Sequence, residues 1–229
     1  MNLYALSDLH LSFGAEKPMD IFGGWANYTD RIKANWERLV EEDDTVVIPG
    51  DISWAIDFKE AKPDFEFINS LKGKKIILKG NHDYWWQTVK KINEFLNENK
   101  FESISLVHNN CYPVGDYAVC GTRGWLYDGS GEQDKKVIAR ECGRLEKSLH
   151  EAISLSKKPL VFLHYPPVYG DFVCEEIFDI IKKYEIKDVY YGHIHGAGLN
   201  NSKKEYDGVK LHLVSCDCVD FTPQFIIKY

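Results

Sequence analysis

Lys75-Ile-Ile-Leu-Lys-Gly-Asn-His-Asp83 carries an apolar run straight into four residues suited to a tight, polar turn. The run predicts a buried strand over 75–79, and the polar residues fall where that strand hands over to a loop. The arrangement recurs along the chain. Asn2–Ser7 leads into Asp8-Leu-His10, Thr45–Pro49 into Gly50-Asp51, Pro159–Leu163 into His164, and Val189–Tyr191 into Gly192-His193-Ile-His195. Open α/β sheets form their sites beside the carboxyl ends of strands, so these clusters predict one shared site.

Working outward, helices are expected over Thr29–Glu41, Phe58–Leu71 and Tyr84–Asn99, giving the first half a βαβ rhythm. In the last of these, Trp85, Val89, Ile92 and Leu96 fall on one face. The middle changes character. Ser103–His108, Cys111–Val114 and Tyr117–Gly121 read as short strands of a second sheet, the last two joined by a hairpin at Gly115-Asp116. A long helix over Gln133–Ser156 follows, with Ile138, Cys142, Leu145, Leu149 and Ile153 on one stripe. Then come a helix over Cys174–Tyr184 and terminal strands Lys210–Ser215 and Gln224–Lys228. Two mixed sheets packed face to face, with helices outside, accommodate this α/β order.

The chain has 229 residues, 44% of them hydrophobic and 28% charged, which suits a single domain over 1–229 with an ample core. No repeat or Pro/Gly/Ser linker marks a boundary. No apolar run approaches the roughly 20 residues that cross a bilayer. The N-terminus lacks a basic region and a cleavage site, so a cytoplasmic protein without membrane partners is expected. The six cysteines show no CxxC pair and no disulfide framework and are expected to be reduced. Cys216-Asp-Cys218 reads as strand. A net charge of −7 without a basic tail weighs against nucleic acid as a partner. The lysines at 72, 74, 75, 79, 90 and 91 are expected to solvate a loop and a helix face.

Asp8, His10, Asp51, Asn81, His164, His193 and His195 make seven candidate metal ligands, more than one four- to six-coordinate ion takes. Carboxylates, an amide and imidazoles without thiolate suit hard-to-borderline divalent ions such as Mn, Fe or Zn. Shared through Asp51, the set can serve two ions. Two such ions about 3.5–4 Å apart would polarise a phosphoryl oxygen, acidify a bridging water and aim it for in-line attack. Taken singly, each cluster is ordinary turn chemistry. Taken together and in order, they are a metal site.

These blocks resemble the signature of the calcineurin-like binuclear metallophosphoesterases: D-x-H, G-D, G-N-H-D or G-N-H-E, H, and G-H-x-H. The resemblance implies a four-layer αββα sandwich with two divalent ions, Mn or Fe favoured, at the strand ends. It implies Asp8, His10 and His195 on one ion, Asn81, His164 and His193 on the other, and Asp51 bridging. It also gives His82 the place over the substrate phosphate where it assists the leaving group, with Asp83 orienting it.

Around the site, Leu11–Tyr28 is a long loop carrying Phe13, Phe22 and Trp25, and Trp54 and Trp85-Trp86 follow two of the clusters. An aromatic rim is expected, with Trp54 as a substrate contact and Trp85 and Trp36 in the core. Arg123, in a loop flanked by Gly121 and Gly124, is expected to contact a substrate phosphate, against the alternative of a salt bridge. His108, His150 and His212 are read as surface or strand residues. The function expected is hydrolysis of small or medium phosphate mono- or diesters. A nuclease-type phosphodiesterase and a non-catalytic scaffold of the same fold are the alternatives.

Overall fold

The computed structural model describes residues 1–125 and 131–229. One five-stranded sheet contains β1 (Asn2–Ala5), β2 (Thr45–Ile48), β3 (Lys74–Ile77), β4 (Ile104–Leu106) and β13 (Gln224–Lys228), in the order β13-β1-β2-β3-β4. A six-stranded sheet contains β5 (Tyr112–Val114), β6 (Tyr117–Thr122), β7 (Lys158–Leu163), β10 (Asp188–Tyr191), β11 (Glu205–Tyr206) and β12 (Val209–Leu213), in the order β11-β12-β10-β7-β6-β5. Both are mixed: β1 to β4 run parallel with β13 antiparallel, and β6, β7, β10 and β12 run parallel with β5 and β11 antiparallel. A small hairpin, β8 (Val168–Tyr169) with β9 (Phe172–Val173), follows His164.

Alternation along the strands builds the layers, because successive side chains point to opposite faces. Leu3, Ala5, Val47, Ile76 and Leu78 point inward to meet Val119, Phe162 and Val214 of the other sheet, and all are buried. Tyr4, Val46, Ile48 and Ile77 point outward to a second core shared with α1 (Tyr28–Leu39), α2 (Phe58–Ser70) and α3 (Val89–Glu98). Ala118, Cys120, Val161, Leu163 and Val189 face a third core under α4 (Glu132–Ser154) and α5 (Glu175–Lys183). The result is helices, sheet, sheet, helices, the expected αββα order. No described helix is long and apolar enough to cross a membrane.

The differences from expectation have local causes. Helix α3 starts at Val89, not Tyr84, because the Thr88 hydroxyl caps it by accepting the Lys91 N–H. Trp85 is buried all the same, held in a turn by its indole N–H to Asp83 Oδ1 at 3.1 Å. Strand β4 belongs to the first sheet, where it pairs parallel with β3. Cys216-Asp-Cys218 is a 3-10 turn, since β12 ends at Leu213. Lys75 is fully buried, its ammonium donating to the Leu71 carbonyl and to Ser103 Oγ, and burial lowers its pKa to about 8. Ile153 lies half exposed, while Glu141 and Ser148 join the buried face of α4.

The two sheets meet where the site lies. Ser7 N–H donates to the Val214 carbonyl at 2.8 Å, and Cys216 N–H to the Ser7 carbonyl at 3.0 Å. This parallel bridge between Ser7 and Ser215 ties the end of β1 to the end of β12. Phe162, fully buried in the inter-sheet core and stacked on Tyr190 at 5.1 Å, tests that layer. Phe162→Ala is expected to cost about 3–5 kcal/mol of unfolding free energy in urea titrations; a loss under about 1 kcal/mol would contradict close packing of the sheets.

Candidate metal centre

Each expected ligand leaves a parallel strand at its carboxyl end, and four do so with left-handed backbone: Asp8 (φ 59°), His10 (φ 46°), Asp51 (φ 49°) and His193 (φ 70°). This conformation is uncommon for residues with a Cβ, although Asp and His are among those that enter it more often. Four such residues in one place mark strain held by the surrounding fold. Two glycines make the close approach possible. A Cβ on Gly80 would collide with the Asp51 carboxylate and backbone nitrogen, and one on Gly192 with the Asp8 carboxylate and the Ser7 hydroxyl.

The ligands form two adjoining groups. In one, His195 Nε2 lies 3.3 Å from both Asp8 Oδ1 and His10 Nε2, and His10 Nε2 lies 4.0 Å from Asp8 Oδ1. In the other, Asn81 Oδ1 lies 2.7 Å from His164 Nε2 and 2.9 Å from His193 Nδ1. Asp51 faces both, with Oδ1 3.4 Å from His164 Nε2 and Oδ2 3.8 Å from His10 Nε2. Asp51, His164 and His193 also form a group close enough to hold an ion. All seven candidate ligands are thus brought together.

The chemistry of these donors fits cations between them. The Pro49 carbonyl, 3.1 Å from His164 Nδ1, can only accept, so that nitrogen carries the proton and Nε2 offers a lone pair to the centre. Burial holds His10 and His164 down to about 3 and His193 to about 4, leaving neutral imidazoles of the kind that bind metals. Burial, with the Asp8 and Asp83 carboxylates nearby, raises Asp51 well above the usual carboxylate range. His195 is the exception. Burial opposes its charge, yet the Asp217 and Asp8 carboxylates outweigh burial and push its pKa up to about 10. Lone pairs and like charges converge here, and a positive charge between them is what relieves the arrangement.

Other residues support the ligands. Asp217 accepts from His195 Nδ1 at 2.7 Å and from the Gly196 N–H at 3.0 Å, which aims His195 Nε2 inward. Ser215 Oγ donates to Asp8 Oδ2 at 3.0 Å. The sequence reading missed both. The available signal was the Asp between two cysteines just past a strand, which the strand reading of that stretch concealed.

Asp83 takes a different task from the one expected. Its buried carboxylate accepts the backbone N–H groups of Asp51, Ile52, Ser53 and Gly80 at 2.7 to 3.3 Å, along with the Trp85 indole, and so clamps the Asp51 loop to the Asn81 loop. The His82 ring is met by Tyr84 instead, whose hydroxyl lies 3.2 Å from Nδ1. His82 is half-buried at the mouth of the centre, 4.3 Å from the Trp54 ring centre to centre. Trp54 also stacks on His10 at 5.0 Å, and the two line a cavity of about 440 Å³ together with His82 and His195.

Arg123, expected at a substrate phosphate, has its side chain beside α4. Its guanidinium sits 3.9 Å from the fully buried Glu141 and over the Trp125 ring, outside that cavity. Glu141 also binds Arg144 at 2.7 Å and the Thr122 hydroxyl at 2.5 Å. What Arg123 gives the site is its carbonyl, which accepts the His164 and Tyr165 N–H groups.

The two-sheet sandwich thus carries, at its strand ends, two Asp/His groups that could each hold a metal ion. A model of the calcineurin-like phosphoesterases matches residues 1–197, and the chain belongs to that family. Asp217 lies beyond the matched residues. Among solved structures the chain is similar to a protein of unknown function, AQ665 from Aquifex aeolicus, at 16% identity over 98% of this chain and 95% of that one, with a TM-score of 0.54. A second solved structure aligns at 13% identity over 92% and 89% of the two chains, with a TM-score of 0.55. At these identities the likeness is one of fold. No curated protein matches the chain.

Replacing Asp217 with Ala removes the acceptor that aims His195. Mn affinity, followed by titration calorimetry, is expected to fall about 10–100-fold, with Asp217→Asn retaining part of it. Equal affinity in wild type and Asp217→Ala would deny the carboxylate that role.

Proposed function

We propose that the protein is a metal-dependent phosphohydrolase that cleaves phosphate mono- or diesters. The observation that carries this reading is the Asp51 carboxylate, which presents one oxygen to His164 and the other to His10, between two groups that can each hold an ion. Asp8, His10 and His195 would hold one divalent ion, Asn81, His164 and His193 the other, and Asp51 both, with Mn or Fe preferred. Two divalent ions bound there supply Lewis-acid polarisation of the phosphoryl group and a water acidified towards neutrality.

The remaining work falls to the chain. Asp217 and the Pro49 carbonyl fix the ring orientations of His195 and His164, so the two groups are preorganised before a substrate arrives. Asp83 holds the loops that carry Asp51 and Asn81 in one register. His82 lines the open side of the centre, and with Tyr84 on Nδ1 its other ring nitrogen is left to deliver a proton to a departing alkoxide. The donor geometry asks nothing of Arg123.

Separate roles give separate phenotypes. Asp51→Asn and His164→Ala are expected to lose bound metal and activity together, whereas His82→Ala keeps metal near the wild-type level and lowers turnover by about 10²–10⁴-fold. Metal content by plasma emission, beside turnover on an aryl phosphate and an aryl phosphodiester, reads both. Equal metal loss in all three variants would remove the proton-delivery role from His82. A fully metal-loaded wild-type protein inert on every ester would overturn the hydrolase reading.

A further inference from the structure

The cavity over the metal centre has two unlike walls. One is polar and belongs to the centre itself: His10, His82, His195 and Asp217. The largely apolar part of the lining is Met19, Phe22, Trp25 and Trp54, with Trp25 and Trp54 against the His10 ring. Apart from indole nitrogens it is carbon and sulfur, and the Trp54 N–H is already donated to the Met19 sulfur at 3.3 Å. No lysine or arginine is among the described residues lining the cavity. Lys17 is a lone cation nearby, 5.7 Å from the Trp54 ring centre.

We infer that this cavity receives the apolar alcohol part of a phosphate ester, with Met19, Phe22, Trp25 and Trp54 enclosing the carbon skeleton while its phosphate faces the metal ligands. The inference rests on the phosphohydrolase reading and adds the substrate class to it. At about 440 Å³ the cavity is of the size that small-molecule sites occupy. A sugar or glycerol alcohol entering it would shed water from its hydroxyls and meet a wall with few groups to replace that water, which is costly. A polyphosphate or nucleic-acid backbone would bring charges beyond the one phosphate that faces the metal ligands, and no lysine or arginine is among the described residues lining the cavity to meet them. An apolar alcohol meets neither penalty.

A second observation agrees. The segment that supplies Met19 and Trp25 also exposes Phe13, Ile21 and Phe22, at 52%, 72% and 54% of their surface. Exposed large apolar side chains on a segment that also lines a cavity suit a binding surface. Phe22 lines the cavity and its chain neighbour Ile21 is exposed, so apolar surface is available to an alcohol longer than the cavity.

The test uses the Mn-loaded full chain and three primary alcohols: benzyl, decyl and 2,3-dihydroxypropyl. Each is offered as its phosphate monoester and methyl phosphodiester, below any micellar concentration. In the form that is cleaved, kcat/KM for the benzyl or decyl ester is expected to exceed that for the dihydroxypropyl ester by at least about tenfold, carried mainly by KM. Benzyl ahead of decyl identifies a flat ring as the occupant, and decyl ahead of benzyl identifies a chain. Ile21→Ser with Phe22→Ser, both exposed positions, is expected to bring that ratio down at least about fivefold. Equal rates, or preference for the dihydroxypropyl ester, would overturn the inference while leaving the hydrolase reading intact. Hydrolysis of none of the six esters by protein holding both metals would overturn the hydrolase reading and the inference with it.

Discussion

Three buried carboxylates, Asp8, Asp51 and Asp83, lie side by side at the edge where the two sheets meet, and the surrounding structure is arranged to tolerate them. Burying like charges is expensive unless each is hydrogen-bonded or paired. Asp83 is satisfied from the backbone and the Trp85 indole, although burial still raises its pKa to about 6. Asp8 accepts from the His193 N–H and the Ser215 hydroxyl, and Asp51 from the His82 N–H. The remaining oxygen lone pairs of Asp8 and Asp51 point at imidazoles, which is where cations complete the balance. The left-handed backbone at Asp8, His10, Asp51 and His193 follows from the same demand, because it turns ligands and N–H groups towards one point.

This explains why so much of the site was legible in the sequence. A ligand that must emerge at a strand end, beside a glycine whose Cβ would collide with a neighbouring carboxylate, leaves a local trace: apolar run, Gly, then Asp, Asn or His. The trace at Gly80 and Gly192 is as much about the space taken by Asp51 and Asp8 as about the turn. The layers were legible for a related reason. Strands such as Thr45–Ile48 are buried on both faces, and continuous apolar runs separated by amphipathic helices leave little else to build than facing sheets flanked by helices.

The parts that were not legible depend on partners distant in the chain. Asp217 acts through a hydrogen bond to His195, 22 residues away in the chain, from the turn after β12 beside the loop after β10, and the strand reading of Cys216-Asp-Cys218 hid its position. Strand β4 follows a helix and precedes a hairpin, so its neighbours in sequence suggested the second sheet while its edge pairs with β3. Arg123 had the right flanking glycines for a phosphate contact, but the buried Glu141 on α4 competes for its guanidinium, and a long-range ion pair has no local pattern. The family resemblance implied that Asp83 orients His82, while the hydrogen bonds of its carboxylate go to the Asp51 loop.

The two sides of the centre differ in how they are held. Behind the ligands, positions are over-determined: Asp83, Pro49, Ser215 and Asp217 each fix a ligand or its loop, and the strands beneath are fully buried. In front, one long segment supplies Met19, Phe22 and Trp25, with Trp54 hydrogen-bonded to Met19, and Phe13, Ile21 and Phe22 of that segment face solvent. Chemistry that depends on ligand geometry within tenths of an ångström belongs on the first side. Recognition of an alcohol, which needs shape and desolvation, can be rewritten on the second without disturbing the first. The hydrogen bond from Trp54 to Met19, together with the Trp54 stack on His10, puts the two sides in direct contact at a candidate metal ligand. The His10 ring that stacks on Trp54 also lies 3.8 Å from Asp51 and 3.3 Å from His195, so contact at Trp54 would have a short path to the residues of the centre.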